Sequence, residues 1–164
     1  VGHFHDTMFG GYIFPFFAAI YYWFPKATGR RMSEKLGKLH FWIMTPAFLV
    51  MTFSMMRVGL LGMRRRIVDY DPLLGFDFAH LITTISGYLI FFSVVIFLYN
   101  FFRSMKHGEE AKGNLWNSRS PEWQVPSPMP VLNYDQAFEV VGEPYDYGLE
   151  GSTYVEFAKS KKGK

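Results

Sequence analysis

Three long segments without a charged side chain limit what this chain can fold into. They cover residues 7–24, 39–56 and 78–102. A helix needs about 20 apolar residues to cross a bilayer core about 30 Å thick. Lipid offers the backbone no hydrogen-bond partner, and the segments lack the period-2 alternation of barrel strands. The sequence therefore predicts an all-α membrane protein with three transmembrane helices.

Charged and proline-rich stretches divide the rest of the chain. We expect span one to reach back to Val1, and we expect Pro15 and Pro46 to kink the spans that contain them. Prolines are frequent after residue 105, which favours an extended tail over an independent core. The prediction is thus a three-helix transmembrane segment at 1–104 and an extended C-terminal tail at 105–164. Its parts are span one at 1–24, a first connector at 25–38, span two at 39–61, a second connector at 62–77 and span three at 78–102.

Basic residues near the span ends set the predicted orientation. Eight belong to the first connector and the early tail, against four around the second connector. The positive-inside rule therefore puts the first connector and the tail on the cytoplasmic or matrix side. The start of span one then lies on the outer side, level with the second connector. The eight residues are Lys26, Arg30, Arg31, Lys35, Lys38, Arg103, Lys106 and Lys112.

The net charge is modest, at +3, and most of the basic residues flank membrane spans. This distribution argues against a nucleic-acid partner. A lysine cluster near the C-terminus is predicted to be a solvated end that could touch anionic lipid. It consists of Lys159, Lys161, Lys162 and Lys164.

His3 and His5 begin the first apolar segment and are the strongest candidates for chemistry. Each residue of a helix turns the chain by about 100°, so these two imidazoles point to nearly opposite sides. They cannot bind one metal ion together, but each can bind its own cofactor, such as one of two haems. The plainer interpretation is a hydrogen bond across a helix interface. Cysteine is absent, which excludes thiolate-held iron–sulfur clusters and thiolate copper sites.

Arg64, Arg65 and Arg66 follow the second span and are predicted to lie at the height of the two histidines. Consecutive arginines point in different directions, so two of them could bind carboxylates of different groups, such as haem propionates. Lipid headgroup anchoring, or pairing with Asp69 and Asp71, is the alternative. No ligand role is predicted for His40, His80 or His107, and Met51, Met55 and Met56 are interpreted as packing surface.

These residues resemble subunit I of the haem–copper respiratory oxidases, specifically its C-terminal third. The resemblance runs in order along the chain as far as Tyr134, and the final thirty residues lie outside it. At Asp6, at Arg64 and at Met56-Arg57 the chain departs from the family's common residues, which bears on haem type and electron donor. The matching motifs are His3-Phe4-His5, Trp23-Phe24-Pro25, Lys38-Leu39-His40-Phe41, Met51-Thr52-Phe53, Gly59-Leu60-Leu61-Gly62-Met63, Arg65-Arg66, Asp69-Tyr70, Leu115-Trp116, Pro121-Glu122-Trp123, Ser127-Pro128 and Asn133-Tyr134.

The resemblance implies roles for four residues. His3 is expected to bind the iron of the high-spin haem at the oxygen-reducing centre, which makes it the catalytic residue, and His5 the iron of the low-spin haem. Arg65 and Arg66 are expected to contact haem propionates. The chain would supply helices ten to twelve of a twelve-helix bundle. The copper ligands, the second ligand of the low-spin haem and the proton-channel acids would lie upstream of Val1, so we expect no activity from this chain alone.

The implied function is that of a terminal oxidase, which reduces dioxygen to water with electrons from cytochrome c and translocates protons. The implied cofactors are two haems of the a type, with copper at the binuclear centre bound by residues outside this chain. The implied partners are the remaining helices of subunit I, subunits II and III, cytochrome c and membrane lipid. The bacterial cell membrane is the expected location, ahead of the mitochondrial inner membrane. A quinol oxidase of the same superfamily and a non-catalytic structural membrane subunit are the alternatives.

Overall fold

The structure is a computed structural model that describes residues 1–111, 113–132, 134, 137–143, 145–146 and 153–158. Lys112, Asn133 and the lysine cluster at 159–164 lie outside the described residues. The chain divides into two compact units. The membrane unit comprises Val1–Tyr22 and Met32–His107, and the tail unit comprises Trp23–Arg31 and Gly108–Lys164. The predicted boundary between residues 104 and 105 stays a prediction.

The first apolar segment is helical, but it is not one regular helix. It consists of α1 (Gly2–Met8), a π-helical turn (Phe9–Ile13) and α2 (Phe14–Thr28). The Phe14 N–H bonds to the Phe9 carbonyl, which is the wide i to i+5 spacing. Pro15 has no N–H to donate, so the irregular turn lies directly before it. The helix continues past the predicted end of span one at Phe24, through Pro25 to Thr28.

The second and third apolar segments form α3 (Glu34–Leu60) and α4 (Asp77–His107). Both extend beyond the uncharged segments, since a helix can continue into polar residues after it leaves the lipid. A short 3₁₀ turn (Pro72–Leu74) lies in the second connector. Within the described residues, α3 and α4 are the helices long and apolar enough to cross a membrane by length and composition. The predicted all-α membrane fold is confirmed.

Helices α3 and α4 pack along a regular seam. The buried residues of α4 recur at alternating spacings of four and three, which keeps them on one face of the helix. Several are small or polar, as is common where membrane helices approach closely. From α3, Ala47, Phe48 and Met51 meet Ile90 of α4 in the core. The α4 seam consists of Ser86, Ile90, Ser93, Phe97, Asn100 and Ser104.

The tail unit contains more regular structure than the extended tail that was predicted. A short helix, α5 (Pro121–Gln124), begins at a proline, which suits the first position of a helix. Strands β1 (Phe138–Val140) and β2 (Val155–Phe157) pair antiparallel, with Phe138 opposite Phe157. Within the same unit, the Arg31 N–H bonds to the Glu109 carbonyl at 2.7 Å. The sheet could not be predicted from the sequence, because each strand has only three residues.

Candidate functional site

A cavity of about 520 Å³ in the membrane unit contains the main sequence-predicted site residues. It lies among the start of α1, the end of α3, the second connector and the first turns of α4. His3 lines it together with all three connector arginines, although 60 residues of chain separate them. The lining residues are Val1, Gly2, His3, Met55, Met56, Val58, Gly59, Leu60, Met63, Arg64, Arg65, Arg66, Ile67 and His80.

Gly2 permits the close contact between α1 and α3 that places His3 at the cavity. It is buried, and a Cβ atom at this position would lie 2.8 Å from the backbone nitrogen of Met56. Because that neighbour is backbone, a larger side chain would force the two helices apart. The absence of a side chain at residue 2 therefore sets the height of the next residue, His3.

The two histidines have different surroundings. The His3 ring is exposed and makes no hydrogen bond within the described residues. His5 is half-buried and is not among the residues that line the cavity. Its Nδ1 lies 3.0 Å from the Val1 carbonyl oxygen, and a carbonyl only accepts, so Nδ1 carries the proton. In the neutral ring this leaves the Nε2 lone pair available for a metal ion.

The connector arginines are exposed and unpaired within the described residues. None of them forms an ion pair with a carboxylate. Asp69 accepts the Tyr70 N–H at 2.8 Å, and Asp71 accepts the Leu73 N–H at 2.9 Å. The structure therefore does not show the alternative in which the arginines pair with Asp69 and Asp71. Three guanidinium groups remain at the cavity for an anionic partner.

His80 also lines the cavity, although no site role was predicted for it. Its Nε2 lies 3.2 Å from the Met63 sulfur, and its ring centroid lies 5.3 Å from that of Tyr70. The Tyr70 hydroxyl donates to Asp77 Oδ1 at 2.7 Å, and this hydrogen bond raises the pKa of Tyr70. The position of His80 in the first turn of α4 was readable from the sequence. The path by which the second connector returns to His80 could not be predicted from the sequence.

The remaining candidates behave as packing residues or extend the cavity wall. His40 is buried in α3, with its ring 4.9 Å from Phe17 and 5.4 Å from Phe97. Met51 lies in the core between α3 and α4, as predicted, whereas Met55 and Met56 also line the cavity.

The donor set suits a cofactor that needs one imidazole and carries carboxylates. Within the part of the chain that the structure describes, no three His, Asp or Glu side chains lie together as a metal site. At the cavity, His3 offers one exposed imidazole. An iron porphyrin matches this chemistry, because it takes an axial histidine and its propionates pair with arginines.

The sequence matches the family model described as cytochrome c and quinol oxidase polypeptide I over residues 1–89. The chain is 41% identical over 151 residues to cytochrome c oxidase subunit 1 of Synechocystis sp., covering 92% of this chain and 27% of that protein. It is 42% identical over 151 residues to cytochrome c oxidase subunit 1 of Thermostichus vulcanus, with the same coverage of 92% and 27%. Cytochrome c oxidase subunit 1 of Bacillus sp. is 39% identical over 137 residues, or 83% of this chain and 22% of that protein.

The chain spans about a quarter of the length of the curated relatives it matches. With 151 of its 164 residues aligned, the likeness extends past Tyr134 into the last thirty residues, further than the sequence motifs indicated. The match to the family model covers all four predicted site residues and the cavity described above. The chain therefore belongs to the cytochrome c and quinol oxidase polypeptide I family.

Proposed function

We propose that this chain is part of the catalytic subunit of a terminal respiratory oxidase that reduces dioxygen to water with electrons from cytochrome c. The observation that carries the proposal is the cavity that His3 lines together with Arg64, Arg65 and Arg66. An exposed imidazole beside three unpaired guanidinium groups is the donor set of a haem with propionates. Relatives named cytochrome c oxidase subunit 1 favour cytochrome c as the donor.

In this proposal the two histidines bind different haem irons. His3 binds the iron of the high-spin haem and is the catalytic residue, while His5 binds the iron of the low-spin haem. The hydrogen bond from His5 Nδ1 to the Val1 carbonyl supports the second assignment, since it fixes the tautomer and holds the ring orientation. His3 lines the cavity and His5 does not, so the two histidines can bind separate metal ions. When bound, the haems supply electron transfer and, with copper, oxygen reduction.

Arg65 and Arg66 hold the propionates in this proposal. A guanidinium presents a planar set of donors that matches a carboxylate, and two successive arginines can reach two different groups. Each pairing neutralises a propionate at the edge of the membrane and fixes the orientation of the ring. Arg64 is a third cation at the same cavity.

The remaining parts of the oxidase lie outside this chain. We propose that the other helices of subunit I supply the copper ligands and the second ligand of the low-spin haem, and that subunits II and III complete the complex. The haems are of the a type, the complex translocates protons, and its location is the bacterial cell membrane in contact with lipid. The first connector and the tail unit face the cytoplasm.

Absorbance spectra of the assembled oxidase test the histidine assignments. We expect His3→Ala to abolish the high-spin haem signal and His5→Ala to abolish the low-spin signal, because each variant would lose the histidine that is proposed to bind that iron. His107→Ala is the matched control, since His107 is exposed at the end of α4 and should leave both signals intact. Unchanged spectra in both His3→Ala and His5→Ala would refute the proposal and favour a structural membrane subunit.

A quinol oxidase is the second candidate, because the description of the matching family names both donors. Steady-state oxygen consumption by the assembled complex separates the two. Turnover with reduced cytochrome c but not with a quinol supports the first function. The opposite result assigns the complex to the quinol oxidases and leaves the histidine roles unchanged.

A further inference from the structure

The three connector arginines lie in a loop that one residue of α4 holds at both ends. We call residues 64–69 the arginine loop. At its start, Met63 places its sulfur 3.2 Å from His80 Nε2. At its end, the Tyr70 ring packs on the His80 ring with centroids 5.3 Å apart. One imidazole therefore contacts the residue before the loop and the residue after it.

The loop has few other side-chain contacts. Residues 64–69 are exposed. Within the described residues, the side chain among them that forms a hydrogen bond is Asp69, whose Oδ1 accepts from the Tyr70 N–H. Arg66 adopts the left-handed region with φ 64°, which is unfavourable for a residue with a side chain. Such a conformation persists when neighbouring contacts enforce it. The contacts available for this are those just outside the loop, at Met63 and Tyr70.

Two further hydrogen bonds hold the ends of the arginine loop. The Met63 N–H donates to the Val58 carbonyl at 3.2 Å, which ties the start of the loop to the end of α3. The Tyr70 hydroxyl donates to Asp77 Oδ1 at 2.7 Å, which ties its end to the start of α4. His80 lies between these two points and also lines the cavity with His3 and the arginines.

We propose that His80 is a positioning residue that closes the arginine loop and directs its guanidinium groups towards the cavity lined by His3. This inference rests on the proposed function, because it takes the partner of the arginines to be the carboxylates of a haem. His80 acts through the loop and not as a metal ligand, since its Nε2 faces the Met63 sulfur. Without His80 the two ends of the loop lose the contact that they share, while each keeps its own bond to a neighbouring helix, at Val58 and at Asp77. The arginines are then held less firmly in their direction.

Hydrogen exchange in the assembled oxidase tests the loop directly and does not depend on haem chemistry. We expect exchange of the Met63 N–H, which is bonded to the Val58 carbonyl, and of the Tyr70 N–H, which is bonded to Asp69 Oδ1, to be about tenfold faster in His80→Ala, because each residue loses its contact with His80. His80→Phe keeps a ring against Tyr70 but loses the contact to sulfur, so its exchange should be intermediate. His107→Ala is the control for removal of an exposed histidine. Exchange in His80→Ala equal to that of the wild type would overturn the proposal.

Haem midpoint potentials then show whether His80 acts through the arginines. Loss of a cation next to a haem favours the oxidised form, so Arg65→Ala should lower the midpoint potential of the neighbouring haem. His80→Ala should lower it in the same direction, and the double variant should show less than the sum of the two shifts. Additive shifts would overturn the proposal, because His80 would then act independently of Arg65.

The two measurements separate this inference from the proposed function. If His80→Ala accelerates exchange but Arg65→Ala leaves both midpoint potentials unchanged, the arginine role in the proposed function fails, and the part of this inference that concerns the haem fails with it. If Arg65→Ala shifts a potential but His80→Ala changes neither exchange nor potential, the proposed function stands and the positioning role of His80 is wrong.

Discussion

The membrane unit and the tail unit are stabilised in different ways. In the membrane unit, α4 buries side chains at regular intervals along one face, from Ser86 to Ser104. In the tail unit, the buried centre is Trp123, with no exposed surface, beside Lys26, which is 3% exposed. These two residues are almost a hundred positions apart in the sequence. The membrane unit is therefore stabilised by a repeating local pattern of buried residues. The tail unit is stabilised by a few polar contacts between residues that lie far apart in the sequence.

The ammonium of Lys26 is the main polar feature of the tail unit. Lys26 Nζ donates to the Val125 carbonyl at 2.7 Å and to the Pro126 carbonyl at 3.3 Å. It also lies 5.1 Å from the centroid of the Trp123 ring, within cation–π range. A buried charge without such partners would be strongly unfavourable. The tail unit thus depends on a side chain from the end of α2 as well as on the residues that follow α4.

The largest expected effect is at Asn100, the most polar point of the α4 seam. Its amide oxygen accepts from the Ser33 N–H at 3.0 Å and from the Ser104 hydroxyl at 3.1 Å, and its Nδ2 donates to the Ser33 carbonyl at 3.0 Å. Asn100→Leu keeps a similar volume but loses all three bonds, so we expect the free energy of unfolding to fall by about 3 kcal/mol. Denaturant titration of the purified complex measures this.

Ser104→Ala is the matched control for Asn100→Leu. It removes one of the three hydrogen bonds and leaves Ser33 paired, so its cost should be about 1 kcal/mol or less. Ser33 directly precedes α3, so equal costs for the two variants would contradict a stabilising role for the two bonds between Asn100 and Ser33. They would also weaken the contrast between the units, because the seam would then depend on its apolar members alone.

Lys26→Met is expected to have the next largest effect, of about 2 kcal/mol, confined to the tail unit. Two carbonyls lose a charged donor while the methionine retains most of the apolar length. Backbone bonds of the same unit report it, from the Ala111 N–H to the Gly29 carbonyl and from the Met129 N–H to the Lys26 carbonyl. Their hydrogen exchange should accelerate about thirtyfold, since 1.4 kcal/mol corresponds to a factor of ten.

Lys38→Met provides the control for the loss of a lysine charge. Lys38 pairs with Glu34 at 2.7 Å, but both side chains are about 70% exposed. An exposed pair one helical turn apart contributes about 0.3–0.5 kcal/mol, so exchange in the tail unit should not change. If Lys26→Met were as mild as Lys38→Met, the tail unit would not depend on its buried ammonium.

This contrast explains how much could be predicted from the sequence. Hydropathy located α3 and α4, because lipid imposes a length and a backbone bonding pattern on any spanning segment. The positive-inside rule placed the start of span one level with the second connector, and His3 does line the same cavity as Arg65 and Arg66. The role of His80 could not be predicted from the sequence, since it depends on how the second connector returns to α4. The pairing of β1 with β2 was equally hidden, because three-residue strands leave little periodicity.

The smallest expected effect concerns Tyr70, where the membrane unit, like the tail unit, has a polar contact that lies outside the α4 seam. The Tyr70 hydroxyl can donate to Asp77 only while it is protonated, so its pKa lies above the usual value of 10.0. The contact is therefore complete below pH 10 and is lost as the pH rises through the raised pKa. In Asp77→Asn the neighbouring charge is gone, and the Tyr70 pKa should move back towards its ordinary value.

Carbon-13 NMR of tyrosine-labelled oxidase, with Tyr70→Phe to assign the signal, measures both titrations. Asp71→Asn is the matched control, because the Asp71 carboxylate accepts from the Leu73 N–H instead. A Tyr70 titration that is the same in wild type and Asp77→Asn would show that this end of the arginine loop is held by ring packing on His80 and Phe76 and not by the hydroxyl.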